Sequence, residues 1–240
     1  MRGCNHYLFY SDNITDDIIS LGSSETNHAV SVLRIKIGQQ IQATDGDGVI
    51  YNCQCTGISK QSMSCKILDK TAVPKLTPEL TLLAGIPDKE HFETILEHAA
   101  ALGISRIIPL VMDNCRNPWW ESWEKLRERF MSKMVVSMKQ CLYPYLPRLD
   151  APAPLDSVID KCEKPLIIAD QYGKGFNSLD LSACPKINCL VGPPGGLSLR
   201  ELNLLESHNP LTVKIAQTRL RTELAATILC SRIMDTSNAH

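Results

Sequence analysis

The chain has 240 residues, 44% of them hydrophobic and 21% charged, with a formal net charge of −1. That length holds one large domain or two modest ones, and the composition excludes a disordered or fibrous chain. No apolar run reaches the roughly 18 residues that span a bilayer, and the first ten residues lack the apolar core of a secretion signal, so a cytoplasmic location and no membrane contact are expected.

Charge is spread evenly. Residues 1–70 carry six Lys/Arg and seven Asp/Glu, and residues 71–240 carry nineteen of each. A nucleic-acid partner would therefore have to be met by a local patch. The 10 cysteines are irregularly spaced and contain no C-x-x-C unit, so no metal site is expected. Cys53, Cys55 and Cys65 read as small reduced hydrophobes on strand faces.

In chain order, Ser24 to Leu33 reads as a short helical piece, and Gln39 to Thr44 alternates as a strand does. Asp45-Gly46-Asp47-Gly48 is a turn, and Val49 to Ile58 and Ser62 to Leu68 follow as strands. Pro74 and Pro78 bracket a stiff linker, which places a boundary between a small β-barrel over residues 1–72 and a second domain over 73–240.

Beyond it the pattern changes to alternating strands and helices. Leu80 to Ile86 and Arg106 to Met112 are apolar runs, separated by Phe92, Ile95, Leu96, Ala99 and Leu102 at helical spacing with Gly103 as the stop. Trp123, Leu126, Phe130, Met134, Met138 and Cys141 mark a long amphipathic helix. Leu166 to Ala169, Ile187 to Val191 and Leu211 to Ile215 are buried strands, and the alternation predicts a mostly parallel sheet covered on both faces.

Three strand ends are candidate binding loops, because ligands of open α/β sheets sit outside the carboxyl ends of strands. The first is Gly192-Pro193-Pro194-Gly195-Gly196, followed by Ser198 and Glu201 as a capping box. It lacks the Lys-Ser/Thr pair of a phosphate loop, and the chain has no G-x-G-x-x-G. The second runs from Ala216 to Ala226, with Arg219, Arg221 and Glu223 just before an apolar helix and Thr222 as its cap. The third is Ile167-Ile168-Ala169-Asp170-Gln171, the end of another strand. On one sheet edge the three would form a single pocket. Each has a plainer reading as well: a tight glycine turn, a solvated loop with an ion pair, or an ordinary strand end.

Taken together, these segments resemble the RsmE family, which methylates N3 of a uridine in 16S ribosomal RNA. His28, Val32-Leu33-Arg34, Gly38 and Asp45-Gly46-Asp47-Gly48 match its N-terminal pattern in order and spacing. Gly192 to Gly196 is similar to its Gly-Pro-Glu-Gly-Gly loop, and Leu220-Arg221-Thr222-Glu223 with Ala225 to its Leu-Arg-Thr-Glu-Thr-Ala motif. Ala101-Leu102-Gly103 and Gln140-Cys141 match weaker patterns between them. The chain departs from the family at Pro194 (Glu), Ala216 (Gly), Leu224 (Thr), His98 (Lys), Ala101 (Glu) and Tyr143 (Arg).

The resemblance implies an α+β chain of two domains, a PUA-like or OB-like barrel followed by an α/β trefoil-knot domain of the SPOUT class. It implies S-adenosylmethionine as cofactor, held by Ile168, Ala169, Asp170, Gly192, Pro193, Gly195, Gly196, Ile215, Ala216, Leu220 and Thr222. It makes Arg221 the group that stabilises a developing imide anion, with Glu223 orienting it or acting as base. Arg2, His28 and Arg34 would grip RNA, either 16S rRNA or the small ribosomal subunit, and the protein would be a homodimer. The alternatives are a homologue that binds RNA without catalysis and a knotted methyltransferase acting on tRNA.

Overall fold

The computed structural model describes residues 7–236, which divide into two compact units. One runs up to Lys75 and includes Val135–Leu146; the other comprises Leu76–Met134 and the chain from Pro147 onward.

The first unit is a five-stranded sheet in the order β1-β3-β4-β5-β2. Its strands are β1 (Leu8–Tyr10), β2 (Ile18–Leu21), β3 (Gln40–Thr44), β4 (Val49–Ile58) and β5 (Met63–Ala72). Along β4, Tyr51, Cys53 and Cys55 are buried while Asn52 and Gln54 are not, the period-two pattern of a strand with one face on a core. Register shifts at Asn52/Cys53 and Cys55/Gly57 bend the β4–β5 ribbon. The edges β1 and β2 are tied where the Ser11 hydroxyl donates to the Ser20 carbonyl at 2.7 Å and Ser20 N–H donates to Asn13 O at 3.0 Å. Phe9, Ile19, Leu21, Ile41 and Met63 fill the interior together with Cys53, Cys55 and Cys65. Burial pushes the Cys53 thiol up to about 11 and Cys65 up to about 12, so both stay protonated and pack as apolar groups.

The expected helical piece is a short turn of α-helix, α1 (Ser23–Asn27), that widens into a π-turn over His28–Val32. Arg34, at φ 57°, ends it in the left-handed region. In the Asp45–Gly48 turn, Asp45 Oδ1 accepts from Asp47 N–H at 2.9 Å, and Gly46 and Gly48 have φ of 82° and 89°. A Cβ on Gly48 would lie 2.3 Å from the Tyr145 ring, so the glycine is what lets Val135–Leu146 lie against this turn.

The second unit is built on parallel strands in the order β12-β10-β11-β6-β7-β8, with β9 also paired to β7. The strands are β6 (Glu79–Gly85), β7 (Arg106–Val111), β8 (Arg148–Leu149), β9 (Ala153–Pro154), β10 (Leu166–Gly175), β11 (Lys186–Val191) and β12 (Leu211–Lys214). The helices are α2 (Lys89–Ala101), α3 (Trp123–Cys141), α4 (Leu155–Ile159), α5 (Leu199–Ser207) and α6 (Thr222–Thr236). The α2 face predicted from spacing is the buried one, and Gly103 at φ 71° takes the expected stop. Phe92 of α2 packs with Trp119, Trp123 and Phe130, ring centroids 5.1 to 6.4 Å apart. In α3, Trp123, Phe130, Met134 and Met138 are buried, whereas Cys141 is exposed. Among the described residues no helix is long and apolar enough to cross a membrane.

β10 is longer than the expected Leu166–Ala169. Its register with β12 slips between Ala169 and Lys174, with Val213 facing both. Gly173 permits this, because a Cβ there would meet the Val213 backbone at 2.6 Å. Residues 170–173 are thereby pushed out of the ladder at the carboxyl end of the sheet.

Candidate active site

The register places Ala169, Val191 and Ala84 near the carboxyl ends of three neighbouring strands, with β12 flanking β10. The loops that follow therefore share one edge and enclose a cavity of about 720 Å³. That is the size of a site for a nucleoside-sized ligand. Ala169, Asp170 and Gln171 line it from the β10 bulge, and Gly192, Pro193, Pro194 and Gly196 from the loop after β11. Ile215, Ala216, Leu220, Arg221, Thr222 and Glu223 line it from the chain entering α6.

Two residues expected at the cavity do not line it. Ile168 points into the core with Leu83, Ile108 and Leu190. Gly195 packs on Asn114, whose Cβ would be 2.7 Å from a side chain at that position. The absence of a Cβ at Gly195 thus serves loop packing. The Asn114 amide also donates to Gly196 O at 2.9 Å. Thr222 is the first residue of α6, and its hydroxyl donates across to Gly192 O at 3.1 Å, tying two of the loops together instead of capping the helix.

The loop after β11 is anchored on its far side. The capping box forms as predicted: Glu201 N–H donates to Ser198 Oγ at 3.2 Å, and Ser198 N–H to Glu201 Oε2 at 2.8 Å. The buried Glu201 carboxylate also accepts from Asp113 N–H at 2.7 Å, just beyond β7. Asp113 accepts from Arg200 and from the Ser198 hydroxyl, which hold its carboxyl below the usual range, and Arg200 reaches both oxygens of Asp156 at 2.8 and 2.9 Å. Replacing Glu201 by Ala strands two backbone N–H groups. We expect Glu201→Ala to lose about 2–3 kcal/mol in denaturant unfolding, and Glu201→Gln, which keeps one acceptor, about half of that.

The cations near the cavity differ in how free they are. Arg219 donates to Pro194 O at 3.3 Å. Arg221 is exposed, lines the cavity, and has no side-chain partner among the described residues. Among the described residues Glu223 makes no side-chain contact with it. Its Oε1 instead lies 3.9 Å from Nε2 of His91, in the first turn of α2.

Asp88, His91 and Leu202, also at the cavity, were missed by sequence reasoning. The signal for Asp88 and His91 was present, since they follow β6 and its end joins the same sheet edge. In the first unit, His28 and Arg34 are exposed, with the His28 ring 6.3 Å from that of Phe9. Arg2 lies outside the described residues.

A family model described as RNA methyltransferase domain matches residues 74–234. The chain belongs to the RNA methyltransferase family. A second model, the RNA methyltransferase PUA domain, matches residues 21–68 within the first unit. The chain is 26% identical over 231 residues to the ribosomal RNA small subunit methyltransferase E of Aquifex aeolicus, covering 95% of this chain and 99% of that one. It is 25% identical to the protein of that name from Bacillus subtilis, covering 89% and 88%. Among solved structures, the ribosomal RNA small subunit methyltransferase E of Neisseria gonorrhoeae, bound to S-adenosylmethionine, superposes with a TM-score of 0.84 at 20% identity over 95% of this chain and 97% of that one. A Legionella pneumophila protein in complex with the same cofactor gives 0.85 at 23% identity, covering 95% and 96%. This family's PUA-plus-α/β architecture is therefore the fold of the chain.

Proposed function

We propose that this RNA methyltransferase uses S-adenosylmethionine to methylate N3 of a uridine in 16S ribosomal RNA, acting in the cytoplasm on the RNA or the small subunit. The observation that carries the reading is one cavity at the carboxyl ends of neighbouring parallel strands, holding loop backbone, apolar walls and an arginine unpaired among the described residues. The relatives named for small-subunit RNA support the substrate class.

The residues suit the cofactor. Ile215, Leu220 and Leu197 offer apolar surface for an adenine, and the loops at Gly192 and Ala216 offer backbone groups for its polar edge. When bound, the cofactor supplies a methyl already activated on a sulfonium. The protein then has two tasks: to align the uridine and to manage the charge that N3 acquires as its proton leaves. Arg221 lines the cavity with its guanidinium uncommitted among the described residues and stabilises the negative charge spreading to O2 and O4. The target base leaves its stack to enter, and His28 and Arg34 of the first unit hold RNA backbone.

The same reading includes a trefoil threading of the C-terminal segment and a homodimer. Leu224, 47% exposed on α6, is available for such an interface, whereas Leu229 is buried in the core.

The test pairs titration calorimetry with nucleoside analysis. The protein should bind S-adenosylmethionine saturably, and 3-methyluridine should vanish from 16S rRNA when the gene is deleted. Absence of binding at millimolar cofactor would leave an RNA-binding homologue; a lost tRNA modification would move the substrate.

A further inference from the structure

The cavity holds one acid–base pair, His91 and Glu223, of which only Glu223 belongs to a motif named above. His91 reaches it from the first turn of α2, and Glu223 reaches it from the first turn of α6. The Glu223 side chain is 15% exposed, and His91 is its only side-chain partner among the described residues. At 3.9 Å the two are in ion-pair range and beyond a direct hydrogen bond, so the imidazole is not locked. Its side chain is 40% exposed, and the residue lines the cavity.

Four residues lining the cavity can accept a proton: Asp88, His91, Asp170 and Glu223. Asp88 accepts from the Asn117 amide at 2.7 Å, and Asp170 accepts from Tyr172 N–H at 2.7 Å. Arg219 and Arg221, the cations across the cavity, take no proton at neutral pH. A carboxylate is a weak base toward an imide, whereas an imidazole as a group operates near neutrality.

We propose that His91 accepts the N3 proton of the target uridine, with Glu223 stabilising the imidazolium that forms; this rests on the methyltransferase reading above. The N3–H bond breaks and its proton goes to a ring nitrogen of His91. The electron pair left on N3 forms the bond to the methyl carbon, and the carbon–sulfur bond of the donor breaks with its electrons kept by sulfur as a thioether. The positive charge of the sulfonium is replaced by that of the imidazolium, which gives its proton to water at the exposed edge of the ring. Arg221 and His91 then have separate tasks, the first to hold negative charge and the second to remove the proton.

The experiment uses small subunits lacking the modification, reconstituted with RNA carrying either uridine or 5-fluorouridine, whose N3–H is more acidic. In single turnover, His91→Ala should be slowed about 100-fold or more on uridine. Binding of S-adenosylhomocysteine by calorimetry should stay within about two-fold of the native protein. Added imidazole should restore part of the rate, and the deficit should shrink on 5-fluorouridine. His91→Gln, which keeps the reach and polarity but loses the basic ring, should show the same deficit. A His91→Ala or His91→Gln protein within about three-fold of native overturns the assignment. So does a deficit equal on both substrates and insensitive to imidazole, which would make His91 a wall of the cavity. A native protein that neither binds the homocysteine product nor methylates overturns the methyltransferase reading, and this assignment with it.

Discussion

Arg221→Ala is expected to lower the rate of methyl transfer about 100- to 1000-fold while changing the affinity for S-adenosylmethionine little. The size follows from where the charge sits. A guanidinium already facing a partly enclosed cavity needs no reorganisation when negative charge develops, and it acts there with less screening than in water. The choice of Arg221 over its neighbours rests on commitment. Arg200 is fixed between Asp113 and Asp156, and Arg219 is engaged with the Pro194 carbonyl. Of these three, only the Arg221 guanidinium has no hydrogen-bond or ion-pair partner among the described residues. Arg221→Lys should recover only part of the loss, because an ammonium cannot present a planar pair of donors to an imide edge. Single-turnover rates against calorimetric affinity decide the matter. An equal fall in both would assign Arg221 to holding the cofactor or the fold.

The parts of this site that were readable in the sequence are those set by short-range rules. Ser198 and Glu201 are three residues apart, and a capping box needs nothing more. Gly103 stops α2 for the same local reason. The strand end at Val191 could be placed because buried parallel strands are short apolar runs, and the rule that ligands meet strand carboxyl ends marked the loop after it as a candidate, whereas the pairing of β10 with β11 came from the structure.

What was not readable depends on distant residues. Nothing in the stretch around Glu201 announces that its carboxylate accepts from Asp113, 88 positions away. Nothing near Glu223 says that it faces His91 instead of Arg221, since the choice is made by how α2 and α6 pack. The Val135–Leu146 segment joins the first unit through Gly46 and Gly48, whose turn was predicted but whose neighbour was not. The extension of β10 to Gly175 comes from a bulge, and a bulge interrupts the alternation by which strands are recognised. The departure at Pro194 also reads differently in the structure. The loop is held by backbone and by the Ser198–Glu201–Asp113 cluster, so its position does not depend on a side chain at 194.

Gly85 carries the second large expectation. It ends β6 directly beneath the loop after β11, and a Cβ there would lie 2.4 Å from Pro193 N and 2.7 Å from Gly192 C. These are backbone atoms, so no side chain can swing away to make room. Gly85→Ala must displace either the strand end or the loop, and the loop is pinned on its other side by Glu201 and by the Thr222 hydroxyl on Gly192 O. The overpacking should cost about 1–3 kcal/mol in unfolding free energy. It should also weaken S-adenosylmethionine binding about tenfold or more, because the displaced backbone forms the cavity wall. Gly175→Ala is the matched control in the same unit: it has no atom within 4 Å of the added methyl and should stay within about 0.5 kcal/mol of the native protein. Calorimetry and denaturant unfolding on the pair separate crowding at the cavity wall from the general effect of replacing a glycine. If Gly85→Ala binds the cofactor as the native protein does, the Gly192–Gly196 loop does not form the cofactor wall, and the site must lie on the α6 side of the cavity.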